Sequence, residues 1–361
     1  MKLAGAICGL LSAACAARPG PMLPPAPADA RPVAVLPLVN LSALATPLRE
    51  LRAAIEDELT ADGVELIPDA VVEDFLAKHR IRYTGGVDGE TARLAGEELG
   101  VGALLVTGIE EYDPAAIPRS SISVRLVAAD DSAQVRFADL VTRAGDDSPG
   151  WFDLGVVRDQ KALDVQVIGK LAASVAGYLH GRGGPAPCSH RVLPRELYRA
   201  KSLDVSRRPL VAVLPFLNQS GHRFAGELVQ LDFVRELQSS GKFVAVEPGV
   251  LREQLLAFRI VTENGVSLDQ ARVILDLTQA DYVLAGTVHE YEQGSAAETP
   301  QVSFTAQLLD RKNSEVVWES SSWSRGDSSV VFFDAGRIGT LASLSCAMAR
   351  GTVEGIAGAR K

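Results

Sequence analysis

The second half of the chain has two hydrophobic patterns, which predict alternating strands and helices. A continuous apolar run over 210–217 predicts a buried strand. Helical spacing up to Gly241 then predicts an amphipathic helix, with apolar positions Phe224, Leu228, Leu231, Val234 and Leu237. A buried strand is predicted over 282–288. Period-two alternation over 301–309 and 315–323 predicts an antiparallel hairpin after it.

The first half of the chain repeats this order. Residues 31–42 read RPVAVLPLVNLS, and RPLVAVLPFLNQS returns at 208–220. Val33 and Val211 lie 178 positions apart, and nearly the same spacing relates Gly63 to Gly241, Gly108 to Gly286 and Trp151 to Phe332. The sequence therefore predicts an α/β protein made of two tandem similar domains, each a mixed β-sheet with helices on both faces.

Composition sets the expected domain boundaries. The first module is expected over 31–180 and the second over 208–361, joined by a linker at 181–207 that begins with a Gly- and Pro-rich stretch. With 361 residues, the chain has room for two domains of roughly 150 residues each.

The amino terminus has the features of an export signal. Lys2 supplies a positive charge, 3–11 is a short apolar run, and small residues precede Cys15. Small residues followed by Cys15 resemble the lipobox of bacterial lipoproteins, in which the thiol is acylated after cleavage. The alternative is an ordinary secretory signal cleaved nearby.

The lipobox resemblance implies an address for the chain. Residues 1–15 would be the signal peptide ending at the acylated Cys15, and the Pro-rich stretch 16–30 would be a tether. Ala16 stands where an Asp would retain a lipoprotein in the inner membrane of enteric bacteria. The expected location is the periplasmic face of the outer membrane, with a lipid anchor.

Charge argues against one class of partner. The chain has 36 basic and 45 acidic residues, for a net charge of −9. Proteins that bind phosphate backbones need clustered Lys and Arg. Nucleic acid is therefore not an expected partner.

One turn could in principle bind phosphate. Asn218, Ser220 and Gly221 lie between a predicted strand and a predicted helix, where backbone N–H groups can hold an anion. The alternative is a turn whose Asn or Ser caps the helix. No Walker or dinucleotide signature accompanies these residues.

An acidic cluster near Trp151 could hold a cation or supply paired catalytic carboxylates. It consists of Asp146, Asp147 and Asp153, and a solvated turn is the alternative. No catalytic triad order, nucleophile elbow or zinc signature occurs in the sequence. The chain is therefore predicted to be no enzyme and to need no cofactor.

Cysteines and histidines gather around the linker. The spacing of His180, Cys188 and His190 matches no standard metal pattern, so no metal is expected. An oxidising periplasm would allow Cys188 to pair with Cys346, which would staple the linker to the predicted final helix. The alternative is two separate thiols, and Cys346 lies off the apolar stripe of that helix, which predicts an accessible side chain.

Three segments of the second module resemble a known superfamily. They are VAVLPFLNQSG at 211–221, ADYVLAGTV at 280–288 and LLDRKNSEVVW at 308–318. They are similar to the TolB-amino-terminal-like superfamily, which includes the curli secretion component CsgG and the penicillin-binding-protein activator LpoB. The resemblance covers most of the second module and, more weakly, the first. It implies a lipid-anchored envelope protein that binds other proteins.

The chain departs from the channel-forming branch of that superfamily. Such a channel builds its pore from hairpins whose strands need about 9 to 11 residues to cross a membrane. The predicted hairpin at 301–323 is long enough, but it also completes the core, and 293–300 has no room for a second one.

The leading expectation is a non-catalytic protein-binding module of an envelope machine for secretion or cell-wall synthesis. The first alternative is an oligomeric secretion-channel subunit, which would make the chain a homo-oligomer. The second is a periplasmic enzyme or small-ligand binder, which would need a deep pocket with convergent polar groups.

Overall fold

A computed structural model describes residues 31–147, 155–184, 187–260, 268–294, 299–328, 330 and 336–358. The expected signal peptide with its lipidation site Cys15, the tether 16–30, and the residues Trp151 and Asp153 lie outside the described residues.

The first module contains the elements β1 (Val33–Val35), β2 (Val39–Asn40), α1 (Leu48–Ala61), α2 (Asp69–Lys78), α3 (Gly89–Glu98), β3 (Ala103–Asp113), β4 (Arg119–Ala128), β5 (Val135–Ala144) and α4 (Gln160–Leu179). Its sheet has the order β1-β3-β4-β5, and β2 also pairs with β3. Both β1 and β2 run parallel to β3, whereas β3, β4 and β5 are antiparallel neighbours.

The second module contains β6 (Arg195–Arg199), β7 (Leu210–Val213), β8 (Leu217–Asn218), α5 (Ala225–Ser239), β9 (Val244–Ala245), α6 (Pro248–Ala257), α7 (Leu268–Thr278), β10 (Tyr282–Glu292), β11 (Gln301–Asp310), β12 (Val316–Arg325) and α8 (Leu341–Ile356). Its sheet has the order β6-β12-β11-β10-β7-β9, with β8 beside β10. Strand β6 lies inside the stretch 181–207 that was expected to be a linker, and it pairs antiparallel with β12.

Helices cover both faces of each sheet. In the first module α1 and α4 pack on one face, and α2 and α3 pack on the other. In the second module α5 and α8 share one apolar cluster, and α6 and α7 share another across the sheet. The predicted fold class, with two mixed sheets flanked by helices, is confirmed.

The two sheets follow the same order of pairing and share an irregularity. The register between β3 and β4 skips Glu110, and the register between β10 and β11 skips His289. Both residues therefore lie in a bulge at the same point of the corresponding strand.

Strand register corrects one of the expected matches between the halves. Strand β2 pairs with β3 at Gly108, whereas β8 pairs with β10 at Thr287. Gly108 therefore corresponds to Thr287, and its predicted match with Gly286 is wrong by one residue. Gly286 has a separate reason to be glycine, since a Cβ there would strike the ring of Phe216.

Helix α4 is the most apolar long helix among the described residues. By length and composition it could span a membrane, with a mean hydropathy of 1.2. However, Leu163, Val167, Leu171 and Val175 follow one another at helical spacing, and all are buried in the module. Its apolar character is accounted for by the core of the first module.

Candidate protein-binding surface

Helix α5 lies between the two sheets and is buried along nearly its whole length. Phe233 and Leu237 pack in the core of its own module. Gln238 donates a hydrogen bond of 2.8 Å from Nε2 to the carbonyl of Val135 in β5, and Ala138 of β5 belongs to the same apolar cluster as α5. One helix of the second module therefore covers the β5 side of the first sheet.

The face of the first sheet that meets the second module is polar. Ser121, Ser123 and Arg125 alternate along β4 with apolar residues of the opposite core, and all three are buried. The hydroxyl of Thr142 in β5 lies 2.8 Å from the hydroxyl of Thr340, the residue before α8. This face is closed by contacts with the second module.

Arg125 forms an ion pair at the centre of this junction. Its Nε lies 3.1 Å from Oε2 of Glu247, and its Nη2 lies 3.2 Å from Oε1. Nη2 also donates to the carbonyl of Gly85 at 2.8 Å, while Glu247 accepts from the backbone N–H of Val87 at 3.3 Å. Because Arg125 is 4% and Glu247 is 1% exposed, the pair is desolvated and relies on these hydrogen bonds.

A second group of buried charges surrounds Arg235 of α5. Its Nη2 lies 2.9 Å from Oε1 of Glu236 and 3.8 Å from Oδ1 of Asp232. Burial raises the pKa of Glu110, Asp232 and Glu236, and the positive charge of Arg235 opposes that rise. Three acidic groups thus accompany one arginine, and burial shifts each of them toward its neutral form.

Glu111 makes the junction sensitive to pH. Burial raises the pKa of Glu111 from 4.5 to about 7, and its Oε1 is shielded from solvent without a hydrogen-bond partner. A raised pKa in the folded state contributes stability that is fully present below the unfolded pKa and is lost as the pH rises through the folded pKa. We expect the free energy of unfolding to fall by on the order of 2 kcal/mol between about pH 5 and about pH 8.

Urea unfolding at a series of pH values measures this decline. The Glu111→Gln variant should lose most of it, because a neutral amide does not titrate. Glu98→Gln is the matched control, since hydrogen bonds from Lys78 and His79 lower the pKa of Glu98, which removes it from this pH range. An unchanged decline in the E111Q variant would assign the effect to other groups.

The corresponding part of the second sheet, on the same face as α6 and α7 but beyond them, is open. Ser303, Thr305 and Gln307 of β11 alternate with buried apolar residues and are partly or fully exposed. Ser303 pairs with Trp323 of β12, whose side chain is 56% exposed. We name this surface the open face; it comprises Thr287, Ser303, Thr305, Gln307, Ser321 and Trp323. It is the counterpart of the covered face of the first sheet.

The edge of the second sheet carries a separate apolar surface. Strand β6 pairs with β12 on one side, and it is the last strand in the order of the described sheet. Leu193, Leu197 and Tyr198 are each about half exposed, at 48%, 49% and 49%. We name these three residues and β6 the β6 edge. An edge strand with apolar side chains fits an extended or apolar segment of another protein.

The two cysteines among the described residues lie together. Cys188 and Cys346 have Cα atoms 6.1 Å apart, within the range that a disulfide spans, and their sulfur atoms are in bonding contact. Cys346 is fully buried, so the expectation of an accessible side chain is wrong: the off-stripe side of α8 faces the linker and α5.

A metal site at these sulfurs is disfavoured by charge. Glu236 lies close to both cysteines, and the three residues form a group of ligand type among the described residues. The guanidinium of Arg235 contacts both sulfur atoms and occupies the space between the three groups. Neither His180 nor His190 belongs to this group.

The predicted phosphate turn has a structural role. Asn218 donates from Nδ2 to the carbonyl of His222 at 2.7 Å, and its Oδ1 accepts from the backbone N–H of Ser220 at 3.0 Å. Asn40 makes the same contacts with Leu44 and Ser42 in the first module. The side chains close the turn but do not cap α5, whose N-cap is Phe224 without a side-chain hydrogen bond.

The described part of the acidic cluster also forms a turn. Oδ2 of Asp147 accepts from the backbone N–H of Ala144 at 2.9 Å, and burial raises the pKa of Asp147. Asp147 lines a cavity of about 440 Å³ together with Asp139, Lys170 and Arg337.

A family described as peptidoglycan-synthase activator LpoB matches residues 195–322. The match begins at the first residue of β6 and ends within β12, so it covers most of the second module. It supports an LpoB-like fold for that module. No curated protein matches the chain in sequence.

Three solved structures are similar to part of the chain at low identity. A PelC dodecamer from Paraburkholderia phytofirmans is 23% identical with a TM-score of 0.31, over 46% of this chain and 98% of that one. The LpoB C-terminal domain from Salmonella enterica is 16% identical with a TM-score of 0.27, over 35% and 87%. Lipoprotein GNA1162 from Neisseria meningitidis is 20% identical with a TM-score of 0.29, over 40% and 99%.

Proposed function

We propose that this chain is a non-catalytic lipoprotein of the bacterial envelope whose second module binds a peptidoglycan synthase. The observation that carries the proposal is the match of residues 195–322 to the peptidoglycan-synthase activator family. The lipid anchor on Cys15, the outer membrane and the periplasmic side follow from the lipobox resemblance. The domain limits at 31–180 and 208–361, the duplication and the wider TolB and curli kinship belong to the same proposal.

The β6 edge is the surface that fits a partner protein. It opens the family-matched segment, and it combines an edge strand with the half-exposed side chains of Leu193, Leu197 and Tyr198. Arg195 and Arg199 at the two ends of β6 discourage edge-to-edge aggregation while leaving the apolar centre free. Aromatic and apolar anchors of this kind carry most of the binding energy in protein interfaces.

Replacing Leu197 and Tyr198 together by serine is expected to weaken synthase binding by roughly 10–100-fold. The reason is the loss of two half-exposed side chains that would be buried in the complex. The affinity of the full chain for a purified peptidoglycan synthase of the same organism, measured by calorimetry, tests this.

Leu256→Ser is the matched control. Leu256 on α6 is 60% exposed, similar in size and exposure to Leu197 but away from β6. It should bind like the wild type. A wild-type chain that did not bind any synthase of its own envelope would remove the proposed function, whereas equal binding by the L197S/Y198S variant would remove only the β6 edge as the contact.

The channel alternative is disfavoured by the hairpin itself. Val302, Phe304, Ala306 and Leu308 form the apolar side of β11, and all belong to the core cluster with α5 and α8. The other side is the open face, which is mainly polar. Strand β11 therefore has no apolar side left for lipid.

A further inference from the structure

The covered face of the first sheet, which contains Ser121, Ser123 and Arg125, corresponds to the open face of the second sheet. Only the covered face is buried within the chain. Ser121, which pairs with Thr142, occupies the position of Ser303, which pairs with Trp323. The first pair is covered by the second module, through the contact of Thr142 with Thr340. The second pair includes Trp323, which is 56% exposed. The second module thus exposes a sheet surface, and the corresponding surface of the first module is covered by α5.

The first module presents the complementary helix surface. Gly63 and Gly241 both follow their helix with positive φ, and each donates to the residue three before it, which aligns α1 with α5. Arg235 and Gln238 of α5 are buried in the junction, whereas the corresponding Asp57 and Thr60 of α1 are exposed. The helix surface that closes the junction in the second module therefore faces solvent in the first.

The basic and acidic residues of the junction are exchanged on these two surfaces. At the junction Arg235 of the helix and Glu110 in the bulge of β3 are both buried. At the corresponding positions α1 carries Asp57 and the bulge of β10 carries His289, and both are exposed. The helix residue is therefore basic in α5 and acidic in α1, whereas the sheet residue is acidic in β3 and a histidine in β10. Each surface is thus altered in the direction that keeps the pair complementary.

We propose that a second copy of this chain covers the open face with its helix α1, so that chains join head to tail by repeating the contact between their own two modules. Such a contact uses different surfaces on the two copies and leaves one of each free, so it extends to a ring or a filament. The occupant is a second copy because both surfaces occur on one chain and the internal junction supplies their packing.

The contact between copies is weaker than the internal junction. The buried pair of Arg125 with Glu247 has no counterpart, because the corresponding positions hold Gln307 and Pro68. Thr60 is shorter than Gln238 and donates its hydroxyl to the carbonyl of Glu56 in its own helix, and Ala53 presents a small apolar surface in place of Leu231. Assembly is therefore reversible and depends on concentration.

Charge exchange tests the interface. Asp57→Arg places a cation against His289, and His289→Glu places an anion against Asp57, so each change alone should raise the dissociation constant at least about tenfold. The double variant D57R/H289E restores the acid and base types of the internal junction and should assemble again. Sedimentation velocity of the full chain over a concentration series into the high micromolar range gives these constants, with circular dichroism to establish that each variant is folded.

Mixing the two single variants gives the sharpest outcome. The helix of the D57R chain matches the sheet of the H289E chain, and the two remaining surfaces carry the wild-type pair, His289 on the first chain and Asp57 on the second, so the mixture should assemble again with the two chains alternating. Lys161→Glu, an exposed charge reversal on α4, is the control and should assemble like the wild type. A wild-type chain that stays monomeric at every concentration, or single variants that assemble as well as the wild type, would overturn the proposal. Synthase binding does not enter this test, so its outcome is independent of the proposed function.

Discussion

Replacing Glu247 by alanine is expected to lower the free energy of unfolding by about 3–5 kcal/mol. The change leaves the guanidinium of Arg125 buried between the modules without its carboxylate, at 4% exposure. It also removes the acceptor for the backbone N–H of Val87. Urea unfolding followed by tryptophan fluorescence measures the loss.

Two further variants distinguish the effect of losing one buried charge from the effect of losing any charge. Glu97→Ala removes an exposed partner of Arg93 and should cost at most about 1 kcal/mol. The double variant R125M/E247L replaces both buried charges by apolar groups of similar size, and it should recover most of the stability. If E247A unfolded like the wild type, the pair would not hold the junction together.

Loss of the proposed disulfide is the second large effect. Cys188 and Cys346 are separated by 158 residues, and a link that closes so long a loop restricts the unfolded chain strongly. The double variant C188S/C346S is expected to lose about 2–4 kcal/mol of unfolding free energy. The same loss should follow when reductant is added to the wild type.

Peptide mapping without reductant supplies the chemical test of that link. The peptides that contain Cys188 and Cys346 should be recovered as one linked species, which separates on reduction. Reductant should leave the stability of the C188S/C346S variant unchanged, which makes it the control. Recovery of two unlinked peptides from an oxidised sample would contradict the disulfide.

Hydrophobic periodicity predicted the elements of the second module closely. The apolar stripe that ends before Gly241 predicted a helix, and α5 runs from Ala225 to Ser239. The alternating positions predicted the β11–β12 hairpin, since a strand with one buried face must alternate. The apolar run stops pairing with its neighbouring strand before Pro215, because proline has no N–H to donate to a backbone hydrogen bond.

Periodicity could not predict the module junction. Asp232, Arg235 and Glu236 of α5 are charged, so the hydrophobic pattern places them in solvent, yet all three are buried. Arg235 and Glu236 contact Cys346, which lies more than a hundred positions away. One signal was available in the sequence: Arg125 lies on the serine-containing side of β4 and needs a partner if that side is covered.

Strand β6 was missed for a related reason. Its sequence, Arg-Glu-Leu-Tyr-Arg, has neither an apolar run nor a period-two pattern, and it lies after a Gly- and Pro-rich stretch. It becomes a strand because β12 offers a free edge to pair with. The most exposed strand of the second module was thus the least visible in the sequence, although it carries the proposed contact with the synthase.

The polar lining of the covered face has a consequence for the proposed export of the chain. The first module emerges on the far side of the membrane before α5 does, so Ser121, Ser123 and Arg125 must meet water or chaperones first. A nascent domain with serine and arginine on its temporary surface resists aggregation, whereas an apolar face would attract other unfinished chains. The polar composition of this face therefore allows the first module to stay folded in water until α5 covers it.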